Sequence, residues 1–164
     1  MTQRRVFVDK DDNVLGYKPK AEFGPDDIER VSALWVTNSK GEILIAQRAL
    51  TKKYGPGYWG PAAAGTVEEG ETYETNIVKE AEEELGLKGI KPAVGPKLYL
   101  ETAHKYFCQW FTCVVDLPAQ SFKLQSEEVA AVKWIGKEEL LQAIEKKEDK
   151  FLSSMSRVVN IFCK

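Results

Sequence analysis

Long apolar runs are missing from this 164-residue chain. No stretch approaches the roughly 20 residues that a membrane-spanning helix requires, so a membrane is not an expected partner. Charge of one sign is missing too. With 23 lysines and arginines against 25 aspartates and glutamates, the net charge is −2. Nothing in that total suits a broad electrostatic surface for a nucleic acid polymer. Cysteine is scarce: Cys108, Cys113 and Cys163 are odd in number and lack metal-type spacing, which argues against both a disulfide framework and a zinc site. No positively charged apolar leader opens the sequence, and a cytoplasmic location is the expectation. Cys108 and Cys113 fall in the aromatic run "YFCQWFTCVV" and read as core thiols rather than nucleophiles.

What is present is an ordinary globular composition, 43% hydrophobic and 29% charged, which predicts one domain spanning 1–164 with a core of its own. "RVFV" and "VLGY" flank the turn-rich "DKDDN" and predict a β-hairpin from Val6 to Tyr17, the main feature of an N-terminal segment over 1–29 that ends in a polar, proline-containing linker. The sequence leaves open whether this hairpin packs on its own domain or makes a homodimer with a second copy. "RVSALWV" and "EILIAQR" predict a second hairpin, and "YGPGYWGPAAAG" a loop leading into a short buried strand. Three further strands follow in "PKLYLET", "KYFCQWFTCVVDL" and "EVAAVKWI", rich in β-branched and aromatic residues. Two helices occupy 137–164; in the last, Phe151, Met155, Val158, Val159 and Phe162 recur at helical spacing as a core stripe. Strands around one central helix, with two helices at the end, predict a mixed β-sheet covered by helices on both faces.

The central helix is predicted from Tyr73 to Leu85, with Thr72 as its N-cap and Gly86 ending it. Tyr73, Ile77, Ala81 and Leu85 form its apolar stripe, with Val78 at the margin. Glu80, Glu83 and Glu84 share the face beside that stripe, whereas Lys79 and Glu82 are expected to point away from the core. Taken alone, such a helix is most simply a solvated charged face. Three carboxylates at a core boundary repel one another, however, and a hard divalent cation with oxygen ligands reverses the sign of that energy.

The surrounding residues favour the cation. Gly65, Glu71, Lys79-Glu80-Ala81, Glu83-Glu84 and Gly86-Leu87 match eight of the nine specified positions of G-x5-E-x7-R-E-U-x-E-E-x-G-U over 65–87. This stretch resembles the signature box of the Nudix superfamily; the departure is Lys79, which keeps a charge but lacks the planar fork of arginine. The resemblance implies an α/β/α sandwich, here with an added N-terminal β-hairpin. It implies a hydrolase that cleaves a small-molecule nucleoside diphosphate linked to another group by attack of a metal-activated water on phosphorus. Mg²⁺ or Mn²⁺ would be held by Glu80, Glu83 and Glu84, with the Gly65 carbonyl as a further ligand, while Glu71 orients the metal shell or Lys79. Glu80 is the first choice for the base that accepts the water's proton, Glu83 the competitor, and Glu127 or Glu128 weaker candidates. Arg48, Lys52 and Lys53 are expected to contact phosphate oxygens, Arg48 best placed because its fork can hold two at once.

A narrower likeness joins "VDKDDNVLGYKPKAEF" and "QRALTKKYGPGYWG" to a Nudix subgroup that includes isopentenyl diphosphate isomerases. Those isomerases use a cysteine and a set of histidines, whereas the matching segment here is "GPAAAGTV" and the only histidine is His104. Isomerase chemistry therefore has no candidates to perform it. A nucleotide-binding or regulatory module without turnover remains the alternative from a different class; retention of all three helix glutamates argues against it. Trp59 reads as core, and His104 as a strand-end surface residue that could still contact substrate.

Overall fold

The computed structural model describes residues 2–147 and 150–163. Among them run β1 (Arg4–Val8), β2 (Val14–Pro19), β3 (Ile28–Thr37), β4 (Ile43–Arg48), β5 (Trp59–Gly60), β6 (Ala63–Thr66), α1 (Tyr73–Leu85), β7 (Ala93–Glu101), β8 (Lys105–Val114), β9 (Val129–Ile135), α2 (Lys137–Lys146) and α3 (Ser153–Phe162). All nine strands join one mixed sheet. The α/β/α layering follows from alternation along its central strands. On β3, Ala33 and Trp35 enter a core with Ile43, Ile45, Trp110, Leu140, Met155 and Val158, beneath α2 and α3. Leu34 and Val36 point the other way, to Leu44, Phe111, Ile77, Ala81 and Leu85, beneath α1. A strand buried on both faces reads as a continuous apolar run, and "SALWV" and "ILIA" are such runs.

Divergence of two strands makes room for a site. β3 lies parallel to β8 along its whole length, from Ile28↔Lys105 to Thr37↔Val114. Its other edge is shared in turn by β1, by β6 and by β4, the last only at Val36↔Leu44 and Thr37↔Ile43. Beyond that contact β4 turns to β5 on one side and β9 on the other. The expected second hairpin thus exists but closes only at its base, and the "GPAAAG" segment enters the gap between its arms.

The N-terminal hairpin packs on its own chain. The Val6 N–H donates to the Val67 carbonyl (3.2 Å) and the Glu69 N–H to the Arg4 carbonyl (2.8 Å), so β1 runs beside the segment that follows β6. Val6, Val8, Ile28 and Val67 bury a small core beneath it. At the hairpin tip Asp12 accepts hydrogen bonds from Arg30 Nε (2.8 Å), Lys97 Nζ (2.6 Å) and the Tyr73 hydroxyl (3.0 Å), tying the tip to the first residue of α1. Burial pushes the Asp12 pKa up, but hydrogen bonds from Lys97, then Arg30 and Tyr73, outweigh it and hold the carboxyl below its ordinary 3.8. A depressed carboxylate contributes stability above its unfolded pKa that is lost as the pH falls through the folded value. Asp12→Asn is therefore expected to lower Tm at pH 7 by roughly 2–4 °C, about 1 kcal/mol, with the gap to wild type closing below about pH 4 in thermal melts.

The C-terminal part differs from expectation in one respect. The Trp59 N–H donates to the Lys150 carbonyl (2.8 Å) and the Leu152 N–H to the Trp59 carbonyl (2.9 Å), a parallel bridge that keeps the chain extended through Phe151. α3 starts only at Ser153, so Phe151 joins the core from extended backbone rather than from the helical stripe. Asp149, also assigned to that helix from sequence, lies outside the described residues. Trp59 packs against the same core, with Lys133 Nζ 4.5 Å from its ring centroid.

Candidate functional site

α1 is held at both ends by its own sequence. The Thr72 hydroxyl accepts from the Thr75 N–H (3.1 Å), the Thr75 hydroxyl accepts from the Thr72 N–H (2.8 Å), and Gly86 closes the helix at φ 73°. Burial of Ile77, Ala81 and Leu85 then sets the rotation of the helix and turns Glu80, Glu83 and Glu84 toward one cleft. Glu84 is buried at 9% exposure, whereas Glu83 stands at the solvent edge.

Gly65 lets α1 come this close to the sheet. It pairs with Ser32 on β3 and faces the Glu80 side chain; a Cβ there would lie 2.5 Å from Glu80 Cγ and Cδ and 2.6 Å from Oε1. The fully buried Ser32 ties the start of the helix to the sheet by donating to the Tyr73 carbonyl (2.8 Å).

Lys79 leaves the core, as its position on a helical wheel suggests, and its stem lies along the rim of the site. Its ammonium reaches Glu71 Oε2 (2.9 Å), Glu68 Oε2 (3.5 Å) and Glu80 Oε1 (3.9 Å), because the long stem can swing to a charged loop that the helix alone does not reveal. Burial would lower the Lys79 pKa, but Glu71 and then Glu68 and Glu80 outweigh it, and the ammonium is held above its ordinary value. The other Glu71 oxygen accepts from the Glu68 N–H (2.8 Å) and from Asn76 Nδ2 (3.3 Å). Glu71 is thereby committed on both oxygens to local partners. Glu68 was missed in the sequence because it occupies an unspecified position of the box.

Glu80 and Glu84 are hydrogen-bonded to each other. Burial raises both carboxyl pKa values; for Glu80 the neighbouring Lys79 opposes the rise, while for Glu84 the Glu80 charge and hydrogen bond and then Glu128 reinforce it. Among the described residues no three acidic, histidine or cysteine side chains are already drawn together as a metal cage. The donors fit a hard divalent cation nonetheless: they are carboxylate oxygens, and those of Glu80 and Glu84 are crowded and desolvated, with only Lys79 near Glu80 to offset the charge.

The cleft measures about 1050 Å³, and its other walls carry the predicted cations. Arg48 donates through Nε to the Tyr54 carbonyl (2.9 Å), and among the described residues its two terminal nitrogens have no carboxylate partner. Lys53 likewise has no carboxylate partner among the described residues. Lys52 is instead paired with Glu128 (2.5 Å), so both line the cleft as an ion pair between two loops. Glu127 is exposed and outside the lining. His104 stands in the β7–β8 turn and lines the cleft, as do Phe23 and Lys20 from the N-terminal linker. The sequence leaves His104 open to substrate contact; Phe23 and Lys20 do not announce themselves locally, because only the register of β1 on β3 and of β3 on β8 brings their segments to the box.

A family model described as the NUDIX domain matches residues 28–155. The chain belongs to the Nudix family. It is similar to the uncharacterized Nudix hydrolase PA4841 of Pseudomonas aeruginosa, 35% identical over 84% of this chain and 80% of that one. It is also 30% identical to the uncharacterized Nudix hydrolase YfcD of Escherichia coli over 85% of this chain and 81% of the relative. The solved structure of DR0079 from Deinococcus radiodurans superposes with a TM-score of 0.82 at 22% identity, over 98% of this chain and 99% of that one. A MutT protein from Methanosarcina mazei gives 0.70 at 20% identity over 82% of this chain and 92% of its own. These likenesses establish the fold, and the family membership makes the protein a hydrolase. Nudix hydrolases generally use divalent cations and act on small molecules. No helix among the described residues is long and apolar enough to cross a membrane.

Proposed function

We propose that this Nudix hydrolase cleaves the diphosphate linkage of a nucleoside diphosphate derivative, with Glu80, Glu83, Glu84 and the Gly65 carbonyl as ligands of Mg²⁺ or Mn²⁺. The observation that carries the reading is one cleft lined both by the three α1 carboxylates and by Arg48 and Lys53, which have no carboxylate partner among the described residues. Such a lining suits a polyanion bound by the cations together with a metal ion held by the carboxylates. When bound, the cation would neutralise charge on phosphate oxygens and lower the pKa of water. Arg48 grips two phosphate oxygens with its free nitrogens and Lys53 a third as a point charge. Lys52, already neutralised by Glu128, takes a lesser part.

Glu80 accepts the proton of the attacking water, with Glu83 as competitor and Glu128 behind them. Glu71 and Lys79 act as positioning residues: the Lys79 ammonium holds Glu80 from one side while Glu71 fixes the ammonium. None of the three cysteines lines the cleft. Burial pushes the Cys108 thiol up to about 12 and the Cys113 thiol up to about 11, so neither supplies the nucleophile an isomerase would need.

Turnover of a panel of nucleoside diphosphate derivatives, assayed with Mg²⁺ or Mn²⁺ and with chelator, tests the proposal. Metal-dependent release of a nucleoside monophosphate, reduced at least about 100-fold in Glu83→Gln, is the expected result. Metal-dependent nucleotide binding with no turnover on any substrate would replace the hydrolase by a sensing module.

A further inference from the structure

One polar side chain of α1 is buried outside the cleft. Asn76 is fully buried and does not line that cavity. Its amide nitrogen donates to the Thr66 carbonyl (3.1 Å) and to Glu71 Oε1 (3.3 Å). Its amide oxygen has no partner among the described residues. The orientation is forced, because the amide turned over would set oxygen against two acceptors. Burying an amide with its oxygen unpaired costs free energy that an apolar side chain of similar size would not incur. Folding alone therefore does not call for asparagine at this position.

The two acceptors lie on the pieces that have to keep register with α1. Thr66 ends β6 and follows Gly65, the residue against which Glu80 packs. Glu71 stands in the loop before the helix, its side chain only 16% exposed. Asn76 thus fastens strand, loop and helix at one point. Lys79 and Glu80 follow it at i+3 and i+4, on the same helix face. The Lys79 ammonium takes the other Glu71 oxygen, Oε2 (2.9 Å). An ammonium is a point donor, whereas a planar guanidinium holds both oxygens of one carboxylate. With lysine in that place, the helix needs a second donor to hold Glu71 Oε1, and Asn76 supplies it; the Glu68 N–H (2.8 Å) supports the same oxygen from the loop.

We propose that Asn76 is a positioning residue of the catalytic site, sharing with Lys79 the grip on Glu71 that a single guanidinium would supply. Through Glu71 it keeps the Lys79 ammonium near Glu80, and through Thr66 it keeps Gly65 beside the same side chain. Its effect on turnover rests on the hydrolase reading; the shared grip on Glu71 does not.

A double-mutant cycle over Asn76 and Lys79 tests it, read both as kcat on the derivative that the substrate panel identifies and as Mn²⁺ affinity by titration calorimetry. Asn76→Leu keeps the size and removes the amide. It is expected to lower kcat and Mn²⁺ affinity about tenfold, with KM changed little. In the Lys79→Arg background the same substitution should cost less than about twofold, because the guanidinium then holds both Glu71 oxygens. A loss that is equal in the two backgrounds would make Asn76 a packing residue and overturn the proposal, as would unchanged kcat and Mn²⁺ affinity in Asn76→Leu. Should the leucine variant not fold, Asn76→Ala, which adds no bulk, carries the same cycle. The two readouts separate the proposal from the hydrolase reading. A protein that turns over nothing, yet shows the loss and its rescue in Mn²⁺ affinity, keeps the positioning role and loses the hydrolase. A protein that hydrolyses nucleoside diphosphate derivatives equally well with Asn76→Leu does the reverse.

Discussion

Glu84→Gln is expected to make the metal-free protein more stable and the enzyme nearly inactive. The carboxyl is buried, and Glu80 and Glu128 add repulsion, raising its pKa from an ordinary 4.5 to about 9. A carboxylate whose folded pKa is raised destabilises the fold above its unfolded pKa, and the penalty grows until the pH passes the folded value. The gain from glutamine should therefore be absent near pH 4, where both states are protonated, and grow from about pH 5 to pH 9. At pH 8 it should reach about 1–3 kcal/mol, read as roughly 3–10 °C in Tm in the presence of chelator. The same titration governs the cation. Mg²⁺ should raise the wild-type Tm more at pH 8 than at pH 6, because protons compete for the same oxygens, and should leave Glu84→Gln almost unmoved. Turnover should fall at least about 100-fold. A variant no more stable than wild type at pH 8 would remove the strain assigned to this pair.

Gly65→Ala is expected to be the most damaging change of a single methyl group. The backbone there is not in the left-handed region, so the effect comes from space alone: the new Cβ would meet three Glu80 atoms at 2.5–2.6 Å. The Glu80 side chain can swing aside, so overpacking should cost only about 1–2 kcal/mol in stability. Catalysis is less forgiving, since displacing a reacting group by about 1 Å can reduce the rate roughly 100-fold. The expected signature is a loss of kcat by about two orders of magnitude with KM changed little, in a protein that still melts cooperatively. A variant with wild-type kcat would show that Glu80 has no role that depends on its place beside Gly65.

The legible parts of the chain were those governed by local chemistry. Thr72 and Gly86 bound a helix whose limits, Tyr73 and Leu85, could be read from capping residues and a 3.6-residue period, both of which act within one or two turns. The two faces of the sheet were legible for a similar reason. Alternation along "SALWV" and "ILIA" requires an apolar layer above and below, and α1 on one side with α2 and α3 on the other supply it. The start of α3 was misjudged because Phe151 has the right period for the helix yet is held in a bridge to Trp59, a competition between local periodicity and a backbone partner far away in sequence.

The sequence alone determined the fold class, the helix that carries Glu80, Glu83 and Glu84, and, through the spacing from Gly65 to Leu87, the family. Short-range rules suffice there, since those residues lie in one contiguous stretch made of the end of β6, the loop after it and α1 with its C-cap. Tertiary structure decided which charges are available. It sets Lys79 against Glu71, pairs Lys52 with Glu128, leaves Arg48 and Lys53 without a carboxylate among the described residues, and brings Tyr54, His104 and Phe23 from three separate segments to one cleft. Ion pairing and cleft formation depend on which strands lie side by side, and β3 sets that order by pairing with β1, β6, β4 and β8 through contacts that no local stretch encodes.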